Sequence, residues 1–403
     1  MYMKSTSLAS FPAFAAGIFC LFAFALPFQV NAATLSKPFE ISGWIPYWRA
    51  ATGTADIMPR LDRFAEVNPF GYTVREDGSL NDAAVILMEP WVSLQKEAKA
   101  KGVRYIPTVM WSNADAMHDV LSNPTLRKAH IKQIVDEVQV NNFDGIDIDY
   151  EGKRAETGPY FSLFLKELYA AMGDKWVQCT IESRTPLSVR YYGTTPPADA
   201  GIYANDLTVI NKYCDRVRFM TYDQQTVDQE QEAKTDEPYG PVSDTVWVEK
   251  AIKEAMKTIP ARKIILGIPT YGYEWEVKTY ANNEHTYDLL WSFNPQWGID
   301  LANEYNITPA RNFGGEMGFT YFPKGSPLSM PRPATAWPAN LVASAAASLT
   351  TAQNTNLTYR MVTWQDSQAI ADKVALAKKL GIRGVAVFKI DGGEDPKMWD
   401  VLK

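Results

Sequence analysis

Eight short apolar segments recur along the chain, and most are followed by a stretch in which apolar residues repeat with helical spacing. Runs of this length are typical of buried β-strands. Alternating strands and helices form a parallel sheet with right-handed crossovers, and eight such units close into a barrel. The sequence therefore predicts an α/β fold, a (β/α)8 TIM barrel. The predicted strands are residues 39–48, 66–74, 104–110, 143–149, 176–182, 216–221, 264–268 and 384–388.

One long segment interrupts this alternation after the seventh strand. Residues 275–364 are rich in Asn, Pro, Gly and aromatic side chains. A segment of this length is too long for a loop without secondary structure of its own. We expect a small α+β insertion between strand 7 and helix 7, within a single barrel domain of residues 33–403.

The charge balance argues against two classes of partner. The 403 residues include 40 Lys+Arg and 46 Asp+Glu, a net charge of −6, and no run of five like charges occurs. Nucleic acids and anionic membranes attract basic proteins, so neither is expected as the main partner. Aromatic residues make up 12% of the chain, with 12 Trp and 20 Tyr, which favours stacking surfaces for a flat-faced ligand.

The first residues have the composition of a targeting segment. Lys4 precedes an apolar stretch from about Leu8 to Phe28, and small residues follow at Ala32 and Ala33. This pattern predicts a signal peptide over residues 1–32 and an exported protein, either secreted or in the cell envelope. An uncleaved anchor is the alternative, because the apolar stretch approaches the ~20 residues that span a bilayer.

Cysteine and histidine are scarce. Beyond the predicted signal peptide only Cys179 and Cys214 remain, and they could form a disulfide or stay as buried thiols on neighbouring strands. The three histidines, His118, His130 and His285, form no cluster with cysteine in the sequence. We therefore expect no metal site and no cofactor.

The strongest chemical signal is a row of acids at the end of the fourth predicted strand. Asp147, Asp149 and Glu151 alternate with apolar residues, so their carboxylates share one face. Repulsion between neighbouring carboxylates raises at least one pKa and provides a proton donor near neutral pH. A solvated acidic strand and a calcium loop are the alternatives. The calcium loop fits poorly, because its twelfth position is Gly158 where a Glu is needed.

Several motifs resemble those of the family 18 glycoside hydrolases. The segment 144–151 matches the family signature Asp-Gly-x-Asp-x-Asp-x-Glu at every fixed position. Other segments similar to the family are 43–48 on the first strand, 220–223 on the sixth and 267–272 on the seventh. The resemblance extends over about residues 39–403, and many members carry an α+β lobe at the position of the insertion.

Two positions differ from typical chitinases. Residues 108–113 stand where chitinases have Ser-x-Gly-Gly, and Phe388 stands where they usually have a Trp below the −1 sugar. Members that act on peptidoglycan or spore cortex also lack that turn, and residues 392–399 are more similar to those bacterial relatives.

The resemblance implies roles for four residues. Glu151 would protonate the glycosidic oxygen, and Asp149 would hold the acetamido N–H of the substrate. Asp147 would share a proton with Asp149, and Tyr222 would donate its hydroxyl to the acetamido oxygen. Retaining hydrolysis assisted by the substrate is a known exception to the two-carboxylate mechanism.

Aromatic residues at predicted strand ends are candidates for the sugar-binding surface, because barrel enzymes assemble their sites at that face. Glu182 and Arg184 follow the fifth strand, where they could bind polar groups or form an ion pair. The candidate binding residues are Tyr47, Trp48, Tyr72, Trp111, Asp223, Tyr271, Trp275 and Phe388.

Three functions are consistent with these patterns. The first is a monomeric hydrolase of β-1,4 linkages next to N-acetylglucosamine, in chitin, chito-oligosaccharides or peptidoglycan. The second is a chitinase-like lectin without turnover, although such lectins usually replace the acid that is present here as Glu151. The third is an envelope protein held by an uncleaved N-terminal segment.

Overall fold

The computed structural model describes residues 39–326, 328 and 335–403. The predicted signal peptide, residues 1–32, lies outside the described residues. Within the described part of the chain, no helix is both long and apolar enough to cross a membrane.

Eight parallel strands close into a barrel, which confirms the predicted fold. Each strand pairs with the next in chain order, and the last pairs with the first. A short strand, Leu80–Asp82, runs antiparallel to the end of the second. The barrel strands are β1 (Glu40–Pro46), β2 (Glu66–Val74), β3 (Thr108–Trp111, preceded by Arg104–Tyr105), β4 (Gly145–Tyr150), β5 (Trp176–Glu182), β6 (Arg216–Met220), β7 (Ile264–Pro269) and β8 (Gly384–Phe388).

Helices connect successive strands and bury their apolar faces against the outside of the barrel. Several begin at an Asn or Asp whose side chain accepts hydrogen bonds from the first turn, such as Asn123, Asp244 and Asp366. The helices outside the insertion are Ala50–Ile57, Trp91–Ala100, Ala114–Ser122, Pro124–Val140, Gly158–Met172, Leu187–Arg190, Leu207–Tyr213, Gln229–Glu232, Thr245–Met256, Ser367–Lys379 and Met398–Val401.

A second sheet lies between β7 and the helix Ser367–Lys379, at the place where the sequence predicts an insertion. Its strands are His285–Phe293, Gly272–Tyr280, Asn356–Trp364, Met317–Tyr321 and Ala310–Arg311, in spatial order. The helices Pro295–Tyr305 and Leu341–Gln353 belong to the same insertion. Buried Glu316 joins it to the barrel domain, because its carboxylate accepts from the backbone N–H groups of Val242 and Ser243.

The two cysteines form a disulfide, which resolves the alternative left by the sequence. Cys179 lies on β5, and Cys214 lies just before β6, with 5.9 Å between their Cα atoms. Both residues are fully buried.

Candidate active site

The row of acids lies as the alternation predicts. Asp147 and Asp149 are 0% and 4% exposed inside the barrel, whereas Ile146, Ile148 and Tyr150 belong to the apolar core. The backbone N–H of Glu151 donates to the carbonyl of Trp111 on β3, at 2.8 Å. This bond continues the strand pairing by one residue and places the third acid at the mouth of the barrel.

Asp147 is held by four donors from four other strands. Its Oδ2 accepts from Trp44 Nε1 at 2.9 Å, Thr108 Oγ1 at 2.8 Å and Arg218 Nη1 at 3.0 Å. Its Oδ1 accepts from Thr180 Oγ1 at 2.8 Å. Since both oxygens are engaged, the carboxyl group of Asp147 is held in one orientation.

Asp149 has a different environment. Its Oδ1 is buried and has no hydrogen-bond partner among the described residues. Burial raises its pKa well above the ordinary value, and the negative charges of Glu151 and Asp147 raise it further. The sharing of a proton between Asp149 and Asp147 stays a prediction. The free oxygen can accept an N–H from a ligand.

Glu151 has the properties of a general acid. Its pKa is raised to about 7. Burial is the largest cause, the charges of Glu182 and Asp223 also raise the pKa, and the charge of Lys153 lowers it. An acid with this pKa holds its proton in about half of the molecules at neutral pH and can donate it during a reaction.

Glu182 and Lys153 form a charged pair beside Glu151. The carboxylate of Glu182 accepts from Gly152 N–H and from Asn205 Nδ2, both at 2.8 Å. Lys153 Nζ lies 3.6 Å from Glu182 Oε2, and its side chain is 1% exposed. Gly152 has φ +64°, which suits glycine and lets the chain turn directly after the acid. The ion pair of Glu182 is therefore with Lys153 and not with Arg184.

Tyr222 and Asp223 follow β6 at the same mouth. The Tyr222 hydroxyl has no partner among the described residues, and burial raises its pKa well above the ordinary value, so it is a neutral donor. Asp223 accepts from Tyr271 Oη at 2.5 Å and also from Tyr273 Oη. The hydroxyl of Tyr271 is therefore committed to Asp223, and Tyr271 positions that carboxylate.

A row of aromatic side chains crosses the β8–β1–β2 side of the mouth. Trp48 is 52% exposed, and its ring lies 5.9 Å from that of Phe70. Phe70 lies 6.2 Å from Phe388, which stacks on Tyr222 at 5.5 Å. Tyr47 is half-exposed and packs edge-on against Trp48 at 4.9 Å. The row therefore extends from exposed Trp48 to Tyr222, at the same mouth as the acids.

Two predicted binding residues lie elsewhere, and the prediction for them is wrong. Tyr72 and Trp111 are each 1% exposed. The Tyr72 hydroxyl donates to Glu137 of the helix Pro124–Val140, and Trp111 packs on Tyr150. Both side chains point out of the barrel, because their strand positions pair with outward-facing residues of the neighbouring strands. Trp275, on the insertion strand Gly272–Tyr280, is also buried. Its Nε1 donates to the carbonyl of Gly240, which lies in the segment between β6 and the helix Thr245–Met256.

A cavity of about 240 Å³ opens beside the acids, toward the loop after β5. It is lined by Glu151, Tyr222 and Asp223 together with Glu182, Arg184, Arg190 and Tyr203. Among the described residues, no group of three His, Cys, Asp or Glu side chains is arranged to hold a metal ion. The cavity is bordered by a proton donor, Glu151, and by a neutral hydroxyl donor, Tyr222, and the free buried acceptor, Asp149, lies two residues before Glu151 on β4.

Sequence comparison finds relatives among bacterial glycosylases. The chain is 26% identical over 295 residues to the uncharacterized glycosylase YvbX of Bacillus subtilis. The matched segment covers 72% of this chain and 70% of that protein. It is 23% identical to the cortical fragment-lytic enzyme of B. subtilis, over 70% of this chain but only 54% of that protein. The chain therefore spans about half the length of that enzyme.

Solved structures share the fold. The spore cortex-lytic enzyme SleL of Bacillus cereus has a TM-score of 0.63 at 18% identity, covering 90% of this chain and 73% of that one. A class V chitinase from Pseudomonas fluorescens has a TM-score of 0.65 at 18% identity, covering 91% and 98%. The model of the glycosyl hydrolases family 18 matches residues 64–393. With the acid row, the barrel and this match in agreement, the chain belongs to family 18 of the glycosyl hydrolases.

Proposed function

We propose that this protein hydrolyses β-1,4 linkages next to N-acetylglucosamine and retains the anomeric configuration. The observation that carries the proposal is the pair formed by Asp149 and Glu151. The first has a buried oxygen without a partner, and the second has a pKa of about 7. Together they provide an acceptor for an acetamido N–H and a proton for a leaving oxygen.

The proposed first step breaks the glycosidic bond. Glu151 gives its proton to the glycosidic oxygen, and the C1–O bond breaks as the acetamido carbonyl oxygen of the same sugar attacks C1. The product of this step is an oxazolinium ion. Asp149 accepts the acetamido N–H, and as its proton shifts toward Asp147 its growing negative charge offsets the positive charge that develops on the ring. Tyr222 donates its hydroxyl to the acetamido oxygen and orients it toward C1.

The proposed second step reverses the attack. Glu151, now a carboxylate, takes a proton from water as that water adds to C1. The bond between C1 and the acetamido oxygen breaks, and the sugar leaves with its original configuration. Asp147, held in place by its four donors, shares the proton of Asp149 and lets Asp149 become anionic as positive charge develops.

The substrate range and location are also part of the proposal. We expect soluble chito-oligosaccharides, chitin or peptidoglycan glycan strands as substrates, and a protein that acts as a monomer. Relatives named for cortex lysis support the bacterial cell wall as a target. The pattern of residues 1–32 supports export, either by secretion or to the cell envelope.

The test is an incubation with chito-oligosaccharides and with purified peptidoglycan, side by side. NMR of the first products should show the retained anomer, and thiazoline analogues of N-acetylglucosamine should inhibit. Sugars without the acetamido group should be inert. An inverted first product would rule out the oxazolinium route, and no cleavage of either polymer would contradict the proposed function.

A further inference from the structure

Two arginines line the cavity beside Glu151. Arg184 and Arg190 both follow β5, and Tyr203 lines the same cavity. The Arg184 guanidinium stacks on the Tyr203 ring, with 4.1 Å between Cζ and the ring centroid. One of its nitrogens donates to the carbonyl of Asn205. These contacts fix the plane of the guanidinium and leave further N–H groups available to a ligand.

Neither arginine has a carboxylate within ion-pair distance in the described part of the chain. The carboxylates whose charge acts on Arg184 are engaged elsewhere. Glu182 is paired with Lys153, Asp206 accepts from the first turn of the helix Leu207–Tyr213, and Glu254 pairs with Lys257. Two unpaired guanidinium groups in one small cavity are suited to an anion, because arginine binds carboxylates through paired N–H groups.

The barrel order places these arginines opposite the aromatic row. The neighbouring strands β1, β2 and β8 carry this row: Trp48 follows β1, Phe70 lies within β2 and Phe388 ends β8. The arginines follow β5, on the far side of the barrel. Glu151 and Tyr222, after β4 and β6, stand on either side of β5. A sugar chain that crosses the mouth therefore has an aromatic surface under one end and cations beside the other.

We propose that Arg184 and Arg190 bind a free lactyl carboxylate on the sugar that leaves, so that the preferred substrate is a peptide-free strand of alternating N-acetylglucosamine and N-acetylmuramic acid. This inference rests on the proposed function. In such a strand, the oxygen that Glu151 protonates is O4 of the muramic acid, and the lactyl ether is on the adjacent C3. Its carboxylate therefore reaches the cavity that borders Glu151.

The size of the cavity favours a free lactyl carboxylate over a stem peptide as the group that binds there. Pockets for drug-sized ligands measure roughly 300 to 1,000 Å³, and this one has about 240 Å³. It accommodates a short carboxylate arm but not a stem peptide. A stem peptide also occupies the lactyl carboxyl group as an amide, so a reaction that cleaves this amide should precede efficient hydrolysis.

The experiment compares four tetrasaccharide substrates: chitotetraose, the peptide-free N-acetylglucosamine–N-acetylmuramic acid dimer, its lactyl methyl ester, and the same dimer with stem peptides. We expect kcat/KM for the free acid to exceed that for the ester and for the peptide form by about tenfold, the scale of a charge-assisted hydrogen bond. Arg184→Gln with Arg190→Gln should remove this preference, so that kcat/KM for the free acid falls about tenfold more than kcat/KM for chitotetraose.

Controls separate folding, binding and turnover. Arg190 is exposed, so Arg190→Gln alone tests the idea without a risk to folding, and exposed Arg262 gives a matched control as Arg262→Gln. Calorimetric titration of the free acid and its ester into Glu151→Gln measures the preference without hydrolysis. Equal binding of acid and ester, or an equal loss on all substrates in the arginine variants, would overturn the inference. Cleavage of chitotetraose with no preference for the acid would overturn it and leave the proposed function standing.

Discussion

Arg218 Nη1 on β6 lies 3.0 Å from Asp147 Oδ2 on β4, across the interior of the barrel. Both side chains are 0% exposed, and Arg218 also contacts Glu66 and donates to Asn68 on β2. Burying this guanidinium is tolerable because charged partners surround it. The contact holds the carboxyl group of Asp147 in place, two residues from Asp149.

Arg218→Met should destabilise the fold, because it leaves Asp147 buried without its cation and removes one of the two arginines that contact Glu66, the other being Arg104. We expect the free energy of unfolding to fall by about 3 to 5 kcal/mol, the usual cost of breaking a buried pair. Urea denaturation measures this directly, with exposed Arg262→Met as the control. A change as small as that of the control would show that the pair contributes nothing to stability.

Glu151→Gln should abolish hydrolysis and leave the fold intact. An amide fills nearly the same volume but cannot donate the proton, so the rate should fall by at least about 100-fold. The rate on chitopentaose and the melting temperature are the two measurements. Activity within a few-fold of the unchanged protein would remove Glu151 from the role of general acid.

Two charges beside Glu151 should move the alkaline limb of the pH profile in opposite directions. Glu151 acts in its protonated form, so kcat/KM should fall as pH rises through its pKa of about 7. Glu182 raises this pKa and Lys153 lowers it. Glu182→Gln should therefore shift the limb to lower pH and Lys153→Met to higher pH. Shifts in the same direction would contradict the assignment of the limb to Glu151.

Trp48→Ala and Trp111→Ala should separate binding from stability. Trp48 is 52% exposed, so its loss should raise KM and change the free energy of unfolding by about 1 kcal/mol or less. Trp111 is 1% exposed in the core, so its loss should cost about 3 to 5 kcal/mol. Substrate kinetics and urea denaturation on both variants provide the comparison. An unchanged KM in Trp48→Ala would exclude Trp48 from sugar binding.

The barrel could be predicted from the sequence because each strand carries its own apolar signal and each helix its own period. The orientation of Asp147, Asp149 and Glu151 followed from alternation within one strand. The prediction that Tyr72 and Trp111 bind sugar is wrong because it rests only on their position near a strand end. It does not consider on which face of the strand each side chain lies. The same alternation in β3 points Trp111 outward. In β2 it would place Tyr72 on the face of Phe70, and an irregularity in the strand between these two residues turns Tyr72 outward.

The contacts of the site between distant segments were not predictable in this way. Arg218 donates to Asp147 from 71 residues away in the sequence, and Trp44 donates to it from 103 residues away. A charged residue inside the apolar strand β6 does signal a buried partner, but it does not say which one. Phe70 and Lys153 were also missed. Of these two residues, only Lys153 could have been proposed as a site residue from the local sequence, because it lies two residues after Glu151.

Phe388 should limit action on crystalline chitin. Its ring stacks on Tyr222 at 5.5 Å and lies 6.0 Å from Trp44, and we expect it to form the floor below the −1 sugar, where typical chitinases usually have Trp. A phenyl ring offers less area than an indole and no N–H, which should weaken stacking on a rigid polymer by about 1 kcal/mol. Soluble chains can adapt to the cleft and should lose less. Initial rates on chitopentaose, purified peptidoglycan and β-chitin at equal sugar concentration should therefore rank β-chitin last, and Phe388→Trp should raise its rate most. If β-chitin is the best substrate of the unchanged protein, the phenyl ring does not limit crystalline substrates.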